Sequence, residues 1–148
     1  MNRLRRDLLL VLATLPARAL AGPFDRSPAT PELLPVDEAL RLQPVLWRAG
    51  ELWLGWELAP GCYLYRDKLQ IEVIEPAGLV LPPAVLPPGE RLRDPHFGEV
   101  EVWRGSVLLR RPAPQAPQRL RLRYQGCAED RVCYPPVTRE VTVSAPLS

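Results

Sequence analysis

The sequence has little of the residues on which most metal sites and hydrolytic sites depend. It contains one histidine, His96, and three cysteines, Cys62, Cys127 and Cys133. The spacing of the last two cysteines does not fit a zinc knuckle, and no second pair of cysteines or histidines completes four ligands. No serine lies in a Gly-x-Ser-x-Gly motif, so serine-type catalysis is disfavoured as well. We therefore expect no metal and no cofactor.

The sequence also has neither a strong net charge nor a long apolar segment. The formal net charge of the 148 residues is +2, whereas nucleic-acid-binding proteins usually show a clearly basic face. The apolar run at residues 8–15 is too short to span a bilayer, and no other long run follows it. It stands between a basic segment at residues 3–6 and small residues at 19–21, which is the pattern of a secretory signal peptide. We predict a signal peptide over 1–21, an extended proline-rich leader over 22–35 and one exported domain over 36–144.

Proline, by contrast, is abundant and argues against helices. The chain has 19 prolines, and an interior proline costs a helix about 3 kcal/mol. Apolar residues alternate with polar ones in several segments, which is the period of strands with one buried and one wet face. These segments are 52–58, 69–73, 99–102, 119–124 and 137–143. They predict an all-β fold of about seven or eight short strands in an antiparallel β-sandwich, and residues 36–42 form either a helical turn or a short strand.

Cys127 and Cys133 are the residues that bear most directly on function. Disulfides persist in exported proteins, and a bond between these two cysteines would close a loop of about seven residues. Chain entropy assigns so short a loop roughly 2.4 kcal/mol, at the low end of the range for a disulfide. A structural staple would gain more by joining distant strands, whereas a short loop suits opening and closing. From these residues alone, a redox role and a structural staple both remain open.

Several motifs of the sequence together resemble one known family. They are Val36-Asp37-Glu38-Ala39, Ala59-Pro60-Gly61-Cys62-Tyr63-Leu64-Tyr65-Arg66, Phe97-Gly98-Glu99-Val100-Glu101-Val102-Trp103-Arg104-Gly105, Tyr124-Gln125-Gly126-Cys127 and Cys133-Tyr134-Pro135-Pro136. In this order, over about residues 36–144, they resemble the N-terminal periplasmic domain of the disulfide reductase DsbD. The resemblance implies an immunoglobulin-like β-sandwich, a periplasmic location and a redox-active Cys127–Cys133 pair.

The resemblance also implies partners and roles for the two cysteines. A thioredoxin-like donor domain would reduce the disulfide. The dithiol would then reduce periplasmic thioredoxin-fold proteins, namely DsbC- and DsbG-like isomerases and a cytochrome-maturation thioredoxin. By matching position, Cys133 would bond to the partner and Cys127 would resolve the mixed disulfide. The alternative is a non-catalytic sandwich that binds a periplasmic partner and uses the pair as a structural clip.

Residues around the cysteines are assigned by the same resemblance. Tyr63 and Tyr65, two apart on a strand, would wall the site, although cross-strand packing alone is the other explanation. The cap loop that shields the disulfide in the family matches Asp94, Pro95, His96, Phe97 and Gly98. His96 falls where the family has its shielding phenylalanine. We nevertheless favour Phe97 as the cover, because an apolar ring excludes water better than an imidazole.

Cys62 departs from the family, in which an aromatic residue is common at this position. On its strand Cys62 alternates with Tyr63, so it should share the side of Leu64. We expect a buried, inert thiol. A reactive third thiol is the alternative, because an odd cysteine in an exported protein is a candidate for reaction.

Overall fold

The computed structural model describes residues 32–145, which form short strands and a single-turn helix. The elements are α1 (Val36–Ala39), β1 (Leu40–Leu42), β2 (Leu46–Arg48), β3 (Glu51–Leu58), β4 (Cys62–Tyr65), β5 (Gln70–Glu75), β6 (Glu90–Asp94), β7 (Gly98–Trp103), β8 (Ser106–Pro112), β9 (Arg119–Tyr124), β10 (Gly126–Ala128), β11 (Val132–Cys133) and β12 (Val137–Thr142). The predicted signal peptide at 1–21 and most of the predicted leader lie outside the described residues. No helix within residues 32–145 is long and apolar enough to cross a membrane.

The strands form three sheets in which every pair of named strands is antiparallel. A four-stranded sheet has β3 between β8 on one side and β1 and β2 on the other. A five-stranded sheet has the order β11-β10-β4-β7-β6, and a three-stranded sheet has the order β12-β9-β5. The prediction of an all-β, antiparallel architecture is confirmed.

The main core lies between these sheets and is built from the apolar face of each alternating strand. Leu54 and Trp56 of β3 and Leu120 and Leu122 of β9 are fully buried there. The Trp56 ring meets the Tyr124 ring edge to face, with centroids 5.5 Å apart. Each such side chain contributes about 1.5–3 kcal/mol through burial, so this core holds the sandwich together and leaves the outer faces free for function.

The number of strands differs from the expectation. The structure has more strands than expected, because β1, β2, β10 and β11 have only two or three residues and are too short to show alternation. Residues 36–42 contain both predicted alternatives in succession, α1 and then β1.

The second difference concerns β4, which is buried on both faces rather than on one. Cys62 and Leu64 belong to the main core, whereas Tyr63 and Tyr65 belong to a second, smaller cluster on the opposite face of the five-stranded sheet. The smaller cluster also includes Cys127. The outer face of this sheet is therefore the place where the predicted site residues meet.

Candidate redox site

Cys127 and Cys133 form a disulfide across a two-stranded hairpin. They lie directly opposite each other in the register of β10 and β11, and the turn between these strands includes Asp130 in the left-handed region, with φ 57°. Aspartate tolerates that conformation better than most residues. Cys127 is 1% exposed, whereas Cys133, on the edge strand, is only half-buried. A reagent from solvent therefore meets the Cys133 side of the bond first.

Gly126 allows the disulfide hairpin to approach β4. A Cβ atom at this position would lie 2.2 Å from the Tyr63 carbonyl oxygen and 3.0 Å from the side chain of Leu40. Only glycine fits so close an approach of two backbones. The resulting register places Cys127 opposite Tyr63, so this glycine sets the position of the buried sulfur.

Tyr63 and Tyr65 lie under the disulfide on the same face of β4. The Tyr65 hydroxyl is 3.0 Å from Sγ of Cys127 and 3.7 Å from Sγ of Cys133. The two tyrosine rings meet edge to face at 5.4 Å. The structure thus brings both predicted wall residues to the cysteines.

Asp94 is a 2%-exposed carboxylate at the centre of the cluster. Its Oδ2 accepts hydrogen bonds from the Tyr63 and Tyr65 hydroxyls at 2.7 and 2.6 Å. Its Oδ1 accepts hydrogen bonds from the backbone N–H groups of His96 and Phe97 at 2.7 and 3.0 Å. Burial by itself raises the pKa of Asp94, but these four hydrogen bonds favour the ionised form and together lower the pKa to about 2. Burial and the bond to Asp94 strongly raise the pKa of Tyr65, which keeps its proton.

The predicted cap residues form the tip of the β6–β7 hairpin, next to the disulfide. Gly98 pairs with Asp94 and has φ 75°, which suits glycine at the end of a three-residue hairpin loop. His96 Nδ1 lies 3.9 Å from Cys133 Sγ. The Phe97 ring packs edge to face on the Tyr65 ring, with centroids 5.3 Å apart. Lys68 Nζ lies 3.6 Å from the Phe97 ring centroid. His96 thus contacts the half-buried sulfur, and Phe97 covers the tyrosine that contacts the buried one.

The comparisons with known proteins agree with this geometry. Residues 30–145 match the family described as thiol:disulfide interchange protein DsbD, N-terminal. The chain belongs to this family. It is 41% identical over 134 residues to thiol:disulfide interchange protein DsbD 2 of Pseudomonas aeruginosa, covering 87% of this chain and 22% of that protein. It is 37% identical over 144 residues to DsbD of Cronobacter sakazakii, covering 95% of this chain and 24% of that protein. The chain therefore spans about a quarter or less of the length of these relatives.

Two solved structures of DsbD N-terminal domains share the fold. The reduced form of the Neisseria meningitidis domain has a TM-score of 0.67 and 32% identity, covering 76% of this chain and 90% of that chain. The complex between the DsbD and PilB N-terminal domains of the same organism gives a TM-score of 0.61 and 33% identity, covering 75% and 87%. The prediction of the DsbD type of β-sandwich is thus confirmed.

Sequence reasoning missed two residues that hold the DsbD-type site together. Lys68, the only lysine of the chain, lies on the Phe97 ring. Arg104 makes two hydrogen bonds to Glu129 in the β10–β11 turn, at 2.8 and 3.0 Å, and stacks 5.2 Å from the Tyr63 ring centroid. The residues of each contact are 25 or more positions apart in the sequence, so no local sequence pattern predicts these contacts.

Cys62 lies apart from the disulfide. It is buried in the main core on the opposite face of β4 and shares that side with Leu64, as expected. Burial raises the pKa of its thiol, and the positive charge of Arg131 offsets this only in part. A thiol in such surroundings is protonated at neutral pH and reacts slowly.

Asp94, Cys127 and Cys133 place potential metal-ligand atoms within 4.8 Å of one another. A disulfide, however, offers no thiolate ligand. The Asp94 oxygens already accept four hydrogen bonds. The arrangement in the oxidised protein is that of a dithiol/disulfide site.

Shielding by the cap can be tested with two single substitutions. We expect Phe97→Ala to speed reduction of the disulfide by glutathione, because the Phe97 ring covers Tyr65, whose hydroxyl lies beside the two sulfurs. The fold should persist, since Phe97 is 45% exposed at a hairpin tip. The measurement is the glutathione reduction rate of the variant against the unmodified protein. His96→Ala is the comparison, and a larger acceleration in that variant would identify His96 as the cover. Unchanged rates in both variants would contradict shielding by this loop.

Proposed function

We propose that this chain exchanges thiols and disulfides with thioredoxin-fold proteins through Cys127 and Cys133. The observation that carries the proposal is the disulfide itself, which joins a buried sulfur beside Tyr65 to a half-buried one at a surface groove. Membership of the DsbD N-terminal family supports it. The solved complex of a family member with another protein domain also supports a function that depends on protein partners.

The proposed direction of electron flow starts from a thioredoxin-like donor domain. A donor thiolate attacks Cys133 Sγ, the Cys127–Cys133 bond breaks, and Cys127 leaves with the bonding electron pair. The donor's second thiol then displaces Cys133, so that the donor becomes a disulfide and this chain a dithiol. The same steps in reverse pass the two electrons to an acceptor. The proposed acceptors are periplasmic thioredoxin-fold proteins, such as DsbC- and DsbG-like isomerases and a cytochrome-maturation thioredoxin.

The proposed activity is that of a protein-disulfide reductase. It requires an exported domain. The predicted signal peptide at residues 1–21 supports export to the periplasm, where disulfides persist. The site faces solvent through a groove of about 210 Å³ that includes both cysteines and His96. Such a groove suits the loop of a protein partner better than a small organic substrate.

Reduction by a thioredoxin dithiol tests the function directly. We expect the oxidised protein, mixed with reduced thioredoxin, to release thiols at Cys127 and Cys133, measured by alkylation and peptide mass spectrometry. Cys62 is the internal control, because it is buried and should be labelled only if the chain unfolds. If neither Cys127 nor Cys133 is labelled, the proposal is wrong.

The reduction potential separates exchange from a structural clip. A structural disulfide has a potential below about −300 mV, whereas an exchanging one lies higher. Equilibration of the domain against glutathione and thioredoxin buffers measures this value. A potential near or above that of thioredoxin, about −270 mV, is the expected result.

A further inference from the structure

His96 has a position that shielding does not require. It is the only histidine of the chain, and its Nδ1 atom lies 3.9 Å from Cys133 Sγ and 3.7 Å from Asp94 Oδ1. One ring nitrogen thus faces both the half-buried sulfur and a buried carboxylate. A cover needs only an apolar surface, whereas this arrangement aims a titratable nitrogen at the reacting atom.

We infer that His96 is the proton acceptor for the Cys133 thiol when the pair is reduced. The inference rests on the proposed thiol–disulfide exchange and adds a catalytic residue to it. Histidine suits the task because its ordinary titration range, between about pH 5 and 8, spans neutrality. A thiolate is the attacking species in exchange, so a base beside Cys133 raises the fraction that can react.

The proton and the electrons balance in this scheme. Neutral His96 takes the Cys133 proton at Nδ1 and leaves a thiolate beside an imidazolium. The thiolate bonds to one sulfur of the partner disulfide, and the partner's other sulfur leaves as a thiolate that takes the proton from the imidazolium. Cys127 then attacks Cys133 Sγ and passes its own proton to the departing partner sulfur. Two electrons have moved to the partner, and His96 is neutral again.

The other groups near Cys133 are poor proton acceptors. Asp94 accepts four hydrogen bonds and has a pKa lowered to about 2, so it holds a proton too weakly. Tyr65 and Tyr63 have raised pKa values because of burial and their bonds to Asp94, and they remain protonated. Asp94 instead stabilises an imidazolium at His96, because its Oδ1 is the nearest anionic oxygen to Nδ1.

The remaining charges around the groove do not favour a thiolate by themselves. The charged side chains that line it with His96 are Arg93, Glu129, Asp130 and Arg131. They are two cations and two anions, and Glu129 is held by Arg104. Lys68 is directed at the Phe97 ring. Once the Arg104–Glu129 pair is set aside, the cations Arg93 and Arg131 are matched by the anions Asp130 and Asp94, so the sum of these charges does not by itself stabilise a thiolate at Cys133.

The single histidine allows a direct test by NMR. We expect the His96 imidazole to titrate at a higher pH in the reduced than in the oxidised protein, by roughly half to one pH unit, because a neighbouring thiolate stabilises the imidazolium. A ring that only covers the disulfide would titrate alike in both states. Identical titration curves would overturn the inference.

Alkylation of Cys133 gives the reciprocal measurement. In His96→Phe and His96→Gln the midpoint of the pH profile should rise by roughly half to one unit, a loss of about three- to tenfold in rate near pH 7. The phenylalanine keeps a ring over the sulfur without a titratable nitrogen, so an unchanged profile in His96→Phe would overturn the inference. Arg91→Gln, which removes one positive charge farther along β6, is the control and should leave the midpoint unchanged. Neither measurement uses a partner, so failure of exchange with thioredoxin would count against the proposed function and not against this proton transfer.

Discussion

Replacement of Cys127 by serine should trap this domain in a mixed disulfide with a thioredoxin-fold protein, whereas replacement of Cys133 should not. The two sulfurs differ in access, since Cys127 is 1% exposed and Cys133 is half-buried on an edge strand. A partner sulfur must reach its target in line with the bond that breaks, and only Cys133 offers that approach. Without Cys127, nothing in the site resolves the bond to the partner.

The hydrogen bonds of Tyr65 support the same division of roles. Its hydroxyl has one proton, which it donates to Asp94 at 2.6 Å. Its oxygen, 3.0 Å from Cys127 Sγ, is then free to accept a hydrogen bond from the Cys127 thiol in the reduced state. This bond favours the protonated form of Cys127. Cys133, beside His96, is then the sulfur that we expect to attack.

The trapping experiment uses a partner with one activated cysteine. A thioredoxin that keeps only its attacking cysteine, activated as the nitrobenzoate disulfide, releases a coloured thiolate when Cys133 attacks it. We expect the Cys127→Ser variant to give near-stoichiometric mixed disulfide on non-reducing gels and the Cys133→Ser variant to give little. Cys62→Ala, introduced in both backgrounds, removes the third thiol as a source of adducts. The reverse trapping pattern would show that the assigned roles are wrong.

The sequence predicts the architecture well where strands are long and exposed on one face. Alternation in the segments that became β3 and β9 identifies them without further information. It fails for β4, because a strand covered by a core on each face has no polar positions to alternate with apolar ones. It also fails for β10 and β11, whose two or three residues hold the disulfide.

The candidate site also has features that the sequence predicts and features that only the fold creates. The cysteines, the two tyrosines and the cap loop can be assigned from local motifs that resemble one family. The contacts that connect them cannot, because His96 and Cys133 are 37 residues apart and Lys68 and Phe97 are 29 apart. Sheet register brings such pairs together, and register depends on the whole fold. The sequence identifies His96 as a cap residue, but only the distance from its Nδ1 atom to Cys133 Sγ indicates the proton transfer proposed above.

Loss of the Asp94 carboxylate is expected to have the largest effect on stability among single changes outside the main core. Asp94 ties the cap to β4 through two phenol and two backbone hydrogen bonds. Asp94→Ala leaves two buried phenol donors and two partly buried backbone N–H donors without their acceptor, and it should lower the free energy of unfolding by roughly 2–4 kcal/mol. The same change releases the loop that carries His96 and Phe97, so glutathione should reduce the disulfide faster in this variant.

The pH dependence of stability separates the charge of Asp94 from its shape. A carboxyl with a pKa lowered to about 2 in the folded state stabilises the protein above its unfolded pKa, and the stabilisation is lost as the pH falls from about 4 towards 2. The shift corresponds to about 2 kcal/mol. We expect the unmodified protein to lose this amount on acidification and Asp94→Asn, which keeps the shape, to lack that part of the loss. Urea unfolding at about pH 7 and about pH 2 measures both. Glu99→Gln on the same hairpin is the matched control, because Glu99 is exposed and should change stability by no more than about 0.5 kcal/mol. Equal acid sensitivity in Asp94→Asn and the unmodified protein would mean that the buried charge is not what holds the cap in place.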